Sequence, residues 1–135
     1  MNVLGLSFYY HDSAAALVKN GVLVAASAEE RFSRKKHDSG FPELAIEFCL
    51  EQGGITINDV DFVVFYEKPF VKFERMLLTA MATFPKSAAV FRESMQRWIS
   101  DKLWIKSMMS KRLSVPRSKF LFADHHVSHA ASSFY

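Results

Sequence analysis

Residues 3–27 read VLGLSFYYHDSAAALVKNGVLVAAS, and this stretch decides the fold. Val3-Leu4-Gly5-Leu6-Ser7-Phe8 has the apolar make-up of a buried strand, and a polar corner, Tyr9-Tyr10-His11-Asp12-Ser13, follows it. Ala14 to Lys19 and Val22 to Ser27 flank Asn20-Gly21. Both turn residues tolerate the positive φ that a two-residue type I′ turn demands, the strongest short hairpin signal. The first three strands are therefore predicted to form an antiparallel meander.

Outward from the meander, a charged loop runs from Glu29 to Gly40. Phe41-Pro42-Glu43 opens a helix: proline at the first helical position loses no hydrogen bond, and Glu43 suits the positive end of the helix dipole. Leu44, Ala45, Phe48 and Cys49 recur at helical spacing until Gly53-Gly54 stops the run. Asn58-Asp59 make a turn, and Asp61 to Tyr66 reads as a fourth strand, the strand–helix–strand order implying a parallel crossover. Residues 70–113 read as a helical insertion broken near Pro85. Phe73, Met76, Leu77 and Ala80 share one face, and Val90, Met95, Trp98 and Ile99 belong to a second helix; these positions read as core. Phe120 to Ala123 is a short buried strand, and a last helix runs from Val127 to Tyr135. The order predicts an α/β chain with a mixed five-stranded sheet. It is the order of one lobe of the actin and sugar-kinase (ribonuclease-H-like) type of fold.

Composition narrows the functional classes. The 135 residues are half apolar and 23% charged, ordinary for a folded domain. No secretory leader and no apolar run of membrane-spanning length stand out. The single cysteine, Cys49, fits a reducing cytoplasm and reads as a buried hydrophobe. The net charge of +3 is unevenly spread: residues 1–67 carry five basic and ten acidic side chains, residues 68–119 twelve and three. The basic middle reads as solvated helix faces rather than a nucleic-acid surface.

Three clusters can carry chemistry. In Asp124-His125-His126-Val127-Ser128-His129, residues four apart share a helix face, so His125 and His129 can aim at one cation. His126 points about 100° away and is a candidate for the substrate side. Asp124 can orient an imidazole, ligate, or simply cap the helix. His11 beside Asp12 is a candidate general base, although adjacent turn residues need not touch. Arg31, Lys35, Lys36 and His37 form a cluster suited to phosphate, or else a solvated loop.

Together these blocks resemble one family. Gly5-Leu6-Ser7, His11-Asp12-Ser13-Ala14-Ala15-Ala16, Glu29-Glu30-Arg31-Phe32-Ser33-Arg34, Lys36-His37-Asp38 and Phe41-Pro42 are similar to the opening of the O-carbamoyltransferases of the nodulation-factor and antibiotic-tailoring type. So are Val60-Asp61, Phe65-Tyr66-Glu67-Lys68-Pro69 and the run from His125 to Tyr135. The resemblance implies an amino-terminal, actin-like lobe spanning residues 1–135 of a longer enzyme, with the carboxy-terminal domains elsewhere. Those domains would use ATP and carbamoyl phosphate to make a carbamoyl adenylate. The lobe would then pass the carbamoyl group to an acceptor hydroxyl, often on a sugar. It further implies a divalent metal, iron as Fe(II), held by His125, His129 and a distant aspartate. This piece alone is expected to be inactive or nearly so and to self-associate. Two other classes stand beside this one: a half-domain of an actin-like ATPase or sugar kinase, and a non-catalytic remnant acting in protein–protein contact. Against the first, Ser7 and Tyr9-Tyr10 stand where those proteins carry an acidic residue and a glycine-rich phosphate turn.

Overall fold

A computed structural model describes residues 1–9, 12–97 and 104–131. It divides into two compact units, Met1–Tyr66 with the segment from Ser118 onward, and Glu67–Arg117. The first contains a five-stranded mixed sheet: β1 (Asn2–Ser7), β2 (Ala14–Lys19), β3 (Val22–Ala28), β4 (Phe62–Phe65) and β5 (Phe120–Phe122), in the spatial order β3-β2-β1-β4-β5. β1, β2 and β3 pair antiparallel, while β4 joins β1 and β5 joins β4 in parallel. The meander turns as its sequence demands: Asn20 has φ +53° and Gly21 φ +84°. Between β2 and β3 the register shifts by one residue, so that Leu17 faces Ala25 and Val18 faces Leu23, leaving Val24 as the extra residue of a bulge.

Alternation along the strands sorts the two faces of the sheet. Leu4, Leu6, Ala15, Leu17, Val63 and Phe65 are buried on one face. The helix α2 (Glu43–Gly53) packs on β2 and β3 there, contributing Ala45, Ile46 and Cys49 to the core. Pro42 is the N-cap of α2 rather than its first residue, and offers no side-chain cap. The carboxylate of Glu29, only 6% exposed, substitutes by accepting the backbone N–H groups of Leu44 (3.1 Å) and Ala45 (2.8 Å). At the other end Gly54 takes φ +60°, its N–H reaching back to the α2 carbonyls, and the Lys19 ammonium donates to the Gly53 carbonyl at 3.1 Å. Phe8, fully buried, packs its ring 4.8 Å from that of Phe65 and 5.3 Å from that of Phe41.

The segment expected to be an uninterrupted charged loop contains one turn of helix, α1 (Glu30–Ser33), closed by Arg34 in the left-handed region. Asn58-Asp59 lie in a 3₁₀ turn, Ile57–Asp59, held by a reciprocal Thr56–Asp59 capping box. The second unit contains α3 (Pro69–Ala82), α4 (Ala88–Arg97) and α5 (Ile105–Leu113), with a turn through Pro85 as the sequence implies. Of the positions expected as core in α3 and α4, none of those described is buried: Phe73, Met76, Ala80 and Met95 are half-buried and Leu77 and Val90 exposed, while Ile105, Met109 and Val115 are buried. Val90 is 68% exposed and Leu77 36%, because a helix with apolar residues on more than one face cannot bury them all against a single neighbour. Trp98 and Ile99 lie outside the described residues. Among the described residues no helix is long and apolar enough to cross a membrane. The last helix, α6 (His125–Ala131), starts two residues earlier than its sequence pattern implies, and belongs with the first unit.

Candidate functional site

Because β1, β4 and β5 run parallel, their carboxyl ends share one edge of the sheet. Three features emerge there: the Tyr9–Ser13 corner after β1, Tyr66 after β4, and Asp124 leading into α6 after β5. The ends of β1 and β5 lie two strand spacings apart, about 10 Å. Crevices beyond the carboxyl ends of such strands are where α/β sheets bind ligands.

At the β5 end the Asp124 carboxylate accepts the N–H of His126 at 3.1 Å, so the aspartate does cap the helix start. Ser128 ties α6 to the sheet, its hydroxyl lying 3.2 Å from the Tyr66 carbonyl and 3.1 Å from that of Asp124. That anchoring fixes the direction in which the helix presents its imidazoles. His125 and His129, both exposed, bring their Nε2 atoms within 3.2 Å of each other, with the rings nearly perpendicular at 85°. Two nitrogens on one first-row metal, at about 2.0–2.1 Å and at roughly 90–110°, are about 2.9–3.4 Å apart. The spacing suits two ligands of one cation. The His126 ring sits 5.7 Å from that of His125, centroid to centroid, and does not join the converging pair.

Behind the pair lies an open trough of about 900 Å³ on the face of the sheet opposite α2. Its floor is built from small residues, among them Gly5, Ser7, Ala14, Ala16 and Ala26, and Tyr66 and Ser128 stand at its α6 side. The Tyr66 ring lies 5.8 Å from the His125 ring, which places the histidine pair beside the trough.

At the β1 end, four hydrogen bonds among the described residues stitch the corner to the loop that follows α1. The N–H groups of Tyr9 and Ser13 donate to the carbonyls of Ser39 (2.9 Å) and Asp38 (2.7 Å). The hydroxyl of Ser13, fully buried, adds a second bond to the Asp38 carbonyl at 3.0 Å. The fourth is between side chains: His37 Nδ1 lies 2.9 Å from Asp12 Oδ1. The His37 N–H also donates to the Glu30 carboxylate at 3.1 Å, which holds His37 at φ +56°. Asp38 accepts the Gly40 N–H at 3.0 Å, and this bond, with a second from Ser33, holds its carboxyl below the usual carboxylate range. Lys35 pairs with Asp38 at 3.7 Å, while Arg31 and Lys36 extend into solvent.

The expected site residues therefore separate into three groups. His125 and His129 converge. Arg31, Lys35, Lys36 and His37 share one loop, but His37 is turned to a carboxylate rather than left open to an anion. Asp12 pairs with His37 across 25 positions, while His11, its expected companion, lies outside the described residues. Sequence reasoning missed the anchoring roles of Tyr66, Ser128, Glu29 and Glu30. Only Ser128 carried a local signal, sitting one residue before His129 and four after Asp124.

A profile of the family described as carbamoyltransferase N-terminus matches residues 2–135. The chain is 49% identical over 141 aligned residues to the uncharacterized protein sll1178 of Synechocystis, covering 99% of this chain and 23% of that one. It is 30% identical over 131 residues to the nodulation protein NolNO of Sinorhizobium fredii, covering 93% of this chain and 18% of that one. A shorter match, 38% over 53 residues, is to the uncharacterized protein MJ1051 of Methanocaldococcus jannaschii. The chain thus spans less than a quarter of the length of these relatives.

Proposed function

The chain belongs to the carbamoyltransferase N-terminus family, and from that premise we propose that it forms the acceptor-side lobe of an enzyme that moves a carbamoyl group onto a hydroxyl. The observation that carries the reading is the 3.2 Å approach of the His125 and His129 Nε2 atoms beside the trough at the carboxyl edge of the sheet. The meander followed by parallel strands also supports an actin-like lobe. In the intact enzyme the donor would be a carbamoyl adenylate, made from ATP and carbamoyl phosphate by the regions this chain does not span.

His125 and His129 would hold a divalent ion, iron by the family resemblance. Such an ion supplies a Lewis acid that polarises a carbonyl or offsets phosphate charge. The chain's own residues do the rest. The small-residue floor of the trough leaves room for the acceptor, and Tyr66 gives it an aromatic wall. Arg31, Lys35 and Lys36 supply cationic donors for a phosphoryl leaving group. The hydroxyl proton goes to a base at the corner after β1, where the sequence offers His11.

The test is metal analysis of the intact enzyme beside a carbamoyl-transfer assay. His125→Ala and His129→Ala should each lose the metal on desalting and lower transfer at least a hundredfold. Stoichiometric metal in both variants would remove the pair as ligands.

A further inference from the structure

Resting on that reading of the site, we propose that Asp12 and His37 form a positioning clasp that sets the basic loop, Lys36 above all, against the corner after β1. Of the four bonds between corner and loop among the described residues, three involve backbone groups or the buried hydroxyl of Ser13. They fix the loop at Ser13–Asp38 and Tyr9–Ser39, on the far side of His37 from Lys36. Among the described residues, the Asp12–His37 bond is the one from the corner that reaches the loop next to Lys36.

The geometry gives this bond its direction. An imidazole facing a carboxylate through Nδ1 must carry its proton there, because a carboxylate oxygen only accepts. The bond therefore forms in the Nδ1–H tautomer and in the imidazolium alike. Glu30 takes the His37 N–H from the other side, so ring and backbone of His37 are both committed. A non-glycine residue in the left-handed region marks a local conformation that its surroundings hold against its own preference. Arg34, also left-handed, begins the same loop three residues earlier. The loop is thus shaped by contacts at both ends, and its lysines are carried on a defined path instead of a free one. His37 on this account is not a phosphate ligand. Its work is to place the residue before it. The charged groups around it are Asp12 from the corner, Glu30 from α1, and Lys35, Lys36 and Asp38 along its own loop.

Two measurements on the intact enzyme test the clasp. In steady-state kinetics, Asp12→Asn and His37→Ala should each raise the KM for the carbamoyl donor about tenfold, the worth of one charge-assisted hydrogen bond. The double variant should be no worse than either single one, because both remove the same contact. His37→Gln, whose amide can still donate to Asp12, should restore much of the affinity. Multiplying effects in the double variant, or a normal KM for His37→Ala, would overturn the clasp. The second measurement needs no activity: limited trypsin cleavage after Lys35 and Lys36 should accelerate in Asp12→Asn and His37→Ala relative to wild type. Equal cleavage rates would overturn the clasp by themselves. An inactive wild-type enzyme would instead count against the transfer reading, with the cleavage rates still deciding the clasp.

Discussion

Glu29 is the clearest case of one side chain doing a structural task that its neighbours cannot. Its carboxylate caps two N–H groups of α2 in a place only 6% exposed. Glu29→Ala leaves those donors buried without an acceptor and should lower unfolding free energy by about 2–4 kcal/mol. Glu29→Gln keeps one acceptor oxygen and should cost less; urea titration of both orders them. Cys49 behaves in the opposite sense. Burial against β2 and β3 pushes its thiol up, so native protein should react with an aromatic disulfide reagent only as fast as it unfolds. Fast stoichiometric labelling at neutral pH would contradict that burial. Asp59 is held below the usual carboxylate range by the Thr56 N–H and hydroxyl. Its folded-state value being the lower one, the bonds stabilise the fold at neutral pH, and that contribution fades as pH falls below about 4, from the unfolded value through the folded one. Asp59→Asn should therefore melt earlier than wild type at pH 7 and converge with it in acid. At this scale the sequence was legible where partners are local. His125 and His129 are four apart, so periodicity alone brings them together. Asp12 and His37 meet only because a helical turn and two left-handed residues fold the loop back, which no spacing rule encodes.

Among the elements, α2 shows how far composition reaches and where it stops. Its apolar spacing and its Gly53-Gly54 end were readable, but the reason for two glycines is tertiary. Gly54 needs its left-handed φ, so Gly54→Ala should cost about 1 kcal/mol. Gly53 has ordinary helical geometry, yet a Cβ there would collide with Leu17 Cδ2 in the core. Gly53→Ala must displace a fully buried leucine and should cost about 1–3 kcal/mol despite alanine's better helix propensity. Equal or raised stability by chemical denaturation would show that Leu17 can move aside freely. The hairpin was legible to the residue because Asn20-Gly21 admits few other conformations. α1 was not, since four residues give no period to read. The outward-facing Val90 was missed for a different reason: hydrophobicity marks which residues can be buried, while the neighbour available decides which are.

For the molecule as a whole, the meander and the mixed five-stranded sheet were legible from the element order, whereas the placing of β4 and β5 beside β1 emerged only in the folded chain. The edge at which the candidate site gathers could be inferred only once the parallel pairings were known. The chain spans 23% and 18% of the lengths of two relatives, and it keeps large apolar side chains exposed, including Phe70, Met81 and Phe84 at about 70%. The isolated 135-residue chain should associate with itself, its sedimentation coefficient rising with concentration; a constant monomer value would count against this. The bulge at Val24 has a last consequence. Removing that residue would join Leu23 directly to Ala25 and leave every other β2–β3 partnership as it stands. An outer strand that absorbs a one-residue insertion or loss lets homologous genes drift in length there, while β1 and β4, which carry the corner and Tyr66, stay in step.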